Sequence, residues 1–175
     1  MPVVLVPPTR TTYDIEAKTL AEVARLVAGR AEAGRCGWKH TYAYDDTDRA
    51  GKPRGLTVTL TIEIELPRWV GRDTAPVAEQ REWDRFLAAL SRHEDGHQEI
   101  AQRGAQRMLD RMSQARAQRA DAIYQEEVQK TQDESDRYDT RTAHGERPPP
   151  GTIITVPSAP STGSTSRPSR PSRPH

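Results

Sequence analysis

Leu56-Thr57-Val58-Thr59-Leu60-Thr61-Ile62-Glu63-Ile64-Glu65-Leu66 is the stretch on which the fold turns. Leu56, Val58, Leu60, Ile62, Ile64 and Leu66 share one face, and the threonines and glutamates between them share the other. That period-two alternation describes a strand with one face on a core and one in water. A wet face of this kind predicts an antiparallel sheet, and Pro67 is expected to close the strand. Upstream, Val3–Val6 and Tyr13–Ile15 read as short strands, and Trp38, His40, Tyr42 and Tyr44 alternate with Lys39, Thr41 and Ala43 as a further one. Between them Thr19 stands three residues before Glu22, the capping box that opens a helix. Leu20, Val23, Ala24 and Val27 give this helix its apolar stripe, and Gly29 can end it.

Downstream the period changes. From about Pro76 to Arg137 no proline interrupts the chain. Trp83, Leu87, Leu90, Glu94, His97, Ala101, Gly104, Met108 and Met112 recur at spacings of three and four, one face of a long amphipathic helix. A turn near Ser113–Arg116 and a second helix from about Ala117 to Arg137 are expected. Residues 148–175, rich in Pro, Ser, Thr and Arg, cannot bury enough apolar surface to offset their ordering entropy. They are expected to form a disordered tail, a solvated terminus before anything else, although its late arginines could meet an acidic partner. The predicted class is therefore α+β: a short antiparallel sheet packed on a long helix and a second helix over residues 1–147, then the tail.

Composition narrows the function. Only 34% of the residues are hydrophobic, enough for one modest core. With 26 basic against 25 acidic side chains the formal net charge is +1, which points away from nucleic acid and membrane surfaces as partners. The opening residues carry no basic leader, and their apolar run is too short for a signal peptide or a membrane span. Cys36 is alone, which excludes an intrachain disulfide and a cysteine-based zinc knuckle.

The chemistry concentrates in His93-Glu94-Asp95-Gly96-His97. Two histidines four apart on a helix project one turn apart on the same side, so both imidazoles can meet one Zn²⁺ at about 2.0–2.1 Å. Glu94, beside the first ligand, is the expected general base, removing a proton from a water made acidic by the metal. The motif lies on the apolar stripe, where unpartnered imidazoles would be costly to bury. Gly96 sits mid-helix at roughly 1 kcal/mol against alanine, a sign that something packs closely there. A catalytic zinc takes three protein ligands and keeps one position open. His144, just past the second helix, is the foremost third ligand; His40 is a weaker one, and His175 in the tail is none.

Tyr13-Asp14-Ile15, Thr19-Leu20-Ala21-Glu22, Trp38, Leu66-Pro67-Arg68-Trp69 and Trp83 precede this motif, and Tyr138-Asp139 with Thr142-Ala143-His144-Gly145 follow it. Over residues 12–146 the chain resembles a bacterial family of predicted secreted zinc-dependent proteases, long catalogued as a domain of unknown function. The H-E-x-G-H and Y-D-x-x-T-x-H-G blocks carry most of the likeness. The resemblance implies a zincin-like α+β domain with His93, His97 and His144 as zinc ligands, Glu94 as base, and a secreted or periplasmic location. The family's usual secretion leader and further cysteines are not seen in this chain.

Tyr138 could donate a hydrogen bond to the developing oxyanion, or simply pack at a helix end. Asp139 could accept the second ring proton of a histidine ligand and fix its tautomer, or be a surface or capping carboxylate. Trp69, Trp83 and Phe86 read as core. Should the Leu56–Leu66 strand lie at a sheet edge, an extended peptide could add to it, although its Thr/Glu face fits plain solvent exposure as well. The leading expectation is a zinc peptidase acting on a peptide or protein substrate. The alternatives are a zinc-stabilised binding module that cleaves nothing and a helical hairpin protein whose histidines are coincidental.

Overall fold

The structure is a computed structural model that describes residues 2–142. In chain order these form β1 (Val3–Leu5), β2 (Thr9–Ile15), α1 (Leu20–Ala28), β3 (Arg35–Ala43), β4 (Asp46–Thr47), β5 (Pro53–Arg54), β6 (Thr57–Trp69), α2 (Val77–Gln114) and α3 (Ala120–Thr142). The class is α+β, as the change of period in the sequence requires. The expected tail and its boundary at residue 147 lie outside the described residues.

β6 is the axis of the sheet. β3 pairs with it antiparallel along one side, from Arg35↔Glu65 to Ala43↔Thr57. β1 and β2 follow one another along its other side, both parallel to it, through Val3↔Val58 and Thr9↔Glu63 to Ile15↔Trp69. The sheet is therefore mixed, where antiparallel pairing was expected. Alternation reports which faces are buried and says nothing about the direction of the neighbours. Because β6 is paired on both sides, the idea that an extended peptide adds to it is ruled out.

Pro67 does not end β6, which runs on to Trp69. The reason lies in the ladder. Val70 N–H bonds the Ile15 carbonyl, so the nitrogens of every second residue back along β6 face β2, and that of Pro67 faces the opposite side. β3 has already stopped pairing at Glu65. The missing N–H of Pro67 therefore falls on bare edge and costs no ladder bond.

α2 and α3 cover the aliphatic face of β6. Leu56, Val58, Leu60, Ile62 and Ile64 pack with Ala101, Ala105, Met108 and Met112 of α2 and with Ile123 and Tyr124 of α3. α1, opened by the expected Thr19/Glu22 capping box, closes a second cluster of Ile15, Val23, Val27, Trp69 and Trp83. Trp69 and Trp83 are thus core, as read from the sequence, with Phe86 packed against them.

The two long helices run antiparallel through a turn at 115–119, close to where it was expected. Their seam is polar. Glu127, only 2% exposed, receives Arg107 Nε at 3.0 Å and an Arg111 guanidinium N–H at 2.8 Å. Further along, a Cβ at Gly104 would collide with the Thr131 hydroxyl, so the backbone of α2 and the side chains of α3 touch there.

Burial pushes the Glu127 carboxyl up, but the Arg111 and Arg107 guanidinium groups outweigh it and hold it below the usual carboxylate range. A carboxyl more acidic in the folded than in the unfolded chain adds stability above its unfolded pKa of about 4.3, and that stability is lost as the pH falls. Glu127→Gln should cost about 1–3 kcal/mol at pH 7, towards the lower end because Arg111 is partly exposed. The cost should shrink towards pH 3, where the wild-type carboxyl is itself protonated. Urea unfolding at both pH values checks this, and an equal loss at the two would contradict it.

Candidate metal centre

Between the two apolar clusters of α2 lies one polar turn. Glu94 is buried on it facing Gly34, and His93 and His97, also buried, project towards α3, which answers with Ser135, Tyr138, Asp139 and Thr142. Those four stand at spacings of three, one and three, a single helix face. The expected second helix stopped at Arg137; the five extra residues to Thr142 carry three of these four groups onto the helix rather than into a loop.

The Nε2 atoms of His93 and His97 are 3.1 Å apart. Asp139 Oδ1 lies 3.1 Å from the first and 2.8 Å from the second. All three residues are about 95% buried. His93, His97 and Asp139 form a group able to hold a metal ion. Donors on a tetrahedral Zn²⁺ at 2.0–2.1 Å stand about 3.3 Å from one another, and this triangle is near that size. Borderline-soft nitrogens and one carboxylate are also a donor set that Zn²⁺ accepts. Two imidazole lone pairs and a carboxylate facing one point need a cation or protons between them. Burial alone would raise the Asp139 carboxyl, but the hydrogen bonds from His93 and His97 outweigh it and hold it well below the usual carboxylate range. It is thus an anion facing both rings.

The far sides of the two rings are held by hydroxyls. Ser135 Oγ is 2.7 Å from His97 Nδ1, and Thr142 Oγ1 is 3.2 Å from His93 Nδ1. Asp139 was expected to take such an outer ring proton; the structure places it on the inner nitrogens and gives the outer ones to Ser135 and Thr142. Ser135 was not singled out from the sequence, and Thr142 appeared only within the Y-D-x-x-T-x-H-G block, with no role given to its hydroxyl. The spacing of Ser135, Tyr138, Asp139 and Thr142 is the signal that would have found them, once the helix is carried past Arg137.

Glu94 is 4% exposed. Its Oε1 faces the backbone of Gly34, where a Cβ would stand only 2.8 Å away, so the residue at 34 must be small. Burial pushes the Glu94 carboxyl up to about 7, with the charges of Asp139, Glu32 and Asp95 adding and His97 opposing. Gly34 also lines a cavity of about 300 Å³ with Tyr13, Arg30, Glu32, Arg35 and Glu65, which therefore neighbours this carboxylate. Arg10 on β2 binds Asp95 at 2.5 Å and pins the same turn to the sheet. Cys36 is no competing nucleophile: burial pushes its thiol up to about 12.

Tyr138 stacks on His93, its ring 5.1 Å away and tilted by 17°, and stands edge-on to His97 at the same distance. Its hydroxyl lies over Gly96, the close packing that a mid-helix glycine foretold. His40 is buried in the core, its Nε2 2.9 Å from the Ala101 carbonyl, and has no part in the triangle. His144 and His175 lie outside the described residues.

A family model described as Bacterial protein of unknown function (DUF922) matches residues 10–145. No curated protein matches the chain, and no solved structure does.

A Cβ at Gly96 would come within 2.5 Å of Tyr138 Cζ. Alanine is the better helix former by about 1 kcal/mol, yet Gly96→Ala should lower stability by about 1–3 kcal/mol because Tyr138 must leave the imidazoles to make room. Thermal unfolding, with Tyr138→Ala in the same background to relieve the clash, tests this. A Gly96→Ala protein more stable than wild type would show the contact to be loose.

Proposed function

The chain belongs to this bacterial family of unknown function, DUF922, and for this member we propose a zinc-dependent metallopeptidase of zincin type. The observation that carries the proposal is the convergence of His93 Nε2, His97 Nε2 and Asp139 Oδ1 on one point, with Glu94 buried on the same helical turn. His93 and His97 would hold the ion. Asp139 is the third donor that the described residues supply, and His144 is the other candidate for that position. Bound there, Zn²⁺ supplies a Lewis acid that polarises a peptide carbonyl and acidifies water.

Glu94 takes the proton of the attacking water and returns it to the leaving amine. It stands one residue from His93, buried on the same helical turn and outside the donor triangle. Tyr138, against both imidazoles, keeps their planes in place, and its phenol is a neutral donor for the developing oxyanion. The substrate is a peptide or protein.

A second reading is a zinc-stabilised module that cleaves nothing. One feature favours it: Asp139 is already a third donor, so His144 in addition would surround the ion with four protein ligands and leave no open position.

The purified protein should contain zinc, and His93→Ala and His97→Ala should lose it. Asp139→Ala and His144→Ala, compared by metal analysis, identify the third donor. Glu94→Gln should keep the metal and lose peptide hydrolysis by about 10²–10⁴-fold. Zinc retained, with wild type and Glu94→Gln equally inert on a mixed peptide library, would select the binding module. A protein free of zinc, whose melting temperature neither chelator nor added Zn²⁺ alters, sinks both readings.

A further inference from the structure

An imidazole binds a metal through a bare nitrogen, so the ring proton must sit on the other one. At this site two sets of neighbours pull that proton in opposite directions. Asp139 Oδ1, within hydrogen-bond distance of both Nε2 atoms, favours protons on the inner nitrogens. A neutral ring protonated there has no lone pair to offer. Something must therefore hold the protons on the outer side.

The Thr142 hydroxyl is committed in a way that decides its role. Its O–H donates to the Tyr138 carbonyl at 2.8 Å, one turn back on α3. That leaves the Oγ1 lone pairs for His93 Nδ1, so at this contact the ring is the donor. Ser135 Oγ, 1% exposed by residue, is 2.7 Å from His97 Nδ1, so the second ring also has a hydroxyl at its outer nitrogen. Both hydroxyls come from the helix that also carries Asp139, so a single element sets the opposing pulls.

We propose that Ser135 and Thr142 are positioning residues that hold the Nδ1 protons of His97 and His93, and thereby keep both Nε2 lone pairs turned inward against the pull of Asp139. The inference rests on the metal-centre reading above. Loss of either hydroxyl lets its ring carry the proton on Nε2, bonded to Asp139, and an incoming cation must then displace it.

Thr142→Val keeps the size of the side chain and removes the hydroxyl; Thr142→Ser keeps the hydroxyl. Zn²⁺ affinity, measured by competition with a chromophoric chelator, should fall about tenfold or more in Thr142→Val and in Ser135→Ala. Thr142→Ser should retain wild-type affinity. In the zinc-loaded protein the imidazole N–H proton resonance of His93 should shift in Thr142→Val and hold its place in Thr142→Ser. The metal-free melting temperatures of the two Thr142 variants should agree, which separates positioning from a general loss of structure. Should Ser135→Ala fail to fold, the Thr142 pair carries the test alone. Wild-type affinity in Thr142→Val would overturn the inference and leave the metal centre standing. A wild-type protein that takes up no Zn²⁺ would overturn the metal centre itself.

Discussion

The close approach of α3 to α2 is the constraint on which the site depends. Two glycines on α2 permit it: Gly96 under the Tyr138 ring and Gly104 under the Thr131 hydroxyl. With a larger residue at either, the helices would stand apart, and groups on α3 would no longer reach the imidazoles. Along the seam α3 presents Glu127, Thr131, Ser135 and Asp139, four buried polar groups one turn apart. Each meets a partner: two arginines for Glu127, the Glu127 carbonyl for Thr131, and histidine nitrogens for the last two. Burying such a row is tolerable only because each member is satisfied.

The sheet gives α2 its bearing. His40 bonds the Ala101 carbonyl one turn beyond His97, and Arg10 holds Asp95 inside the motif. The Glu79 carboxylate takes the Leu20 N–H at the start of α1. These ties come from different strands and helices and fix both the rotation and the axial position of α2. The apolar clusters do the rest. One ends near Leu87 and the other begins at Ala101, so the polar turn between them is held at both ends by packed hydrocarbon.

Much of this was legible in the chain. The alternation of Leu56–Leu66 locates β6 and its buried face, the Thr19/Glu22 pair locates the start of α1, and the threefold and fourfold spacing from Trp83 to Met112 locates α2. His93, Glu94 and His97 follow from that helix alone, because four residues make about one turn whatever surrounds them. Gly96 also spoke for itself, as a residue unfavourable in a helix that something else must reward. The pairing partners of β6 were not legible, since a strand's pattern encodes its faces and not its neighbours' directions. Nor was the passage of β6 through Pro67, which depends on β3 ending two residues earlier.

What the sequence determined by itself is the local chemistry: two imidazoles and a carboxylate on one turn of a helix whose stripe is buried. That much follows from periodicity, a property of short stretches. What only the tertiary structure decided is which groups complete that turn. Asp139 read as a carboxylate serving the outer ring nitrogens, and in the fold its oxygen meets the inner ones. Ser135 drew no notice and Thr142 entered only as part of a family block, and in the fold they stand at the outer ones. The difference is one of angle and register between two helices, set by glycines at the contact and by the length of α3. Such quantities arise where separate segments meet, and no stretch of chain contains them alone.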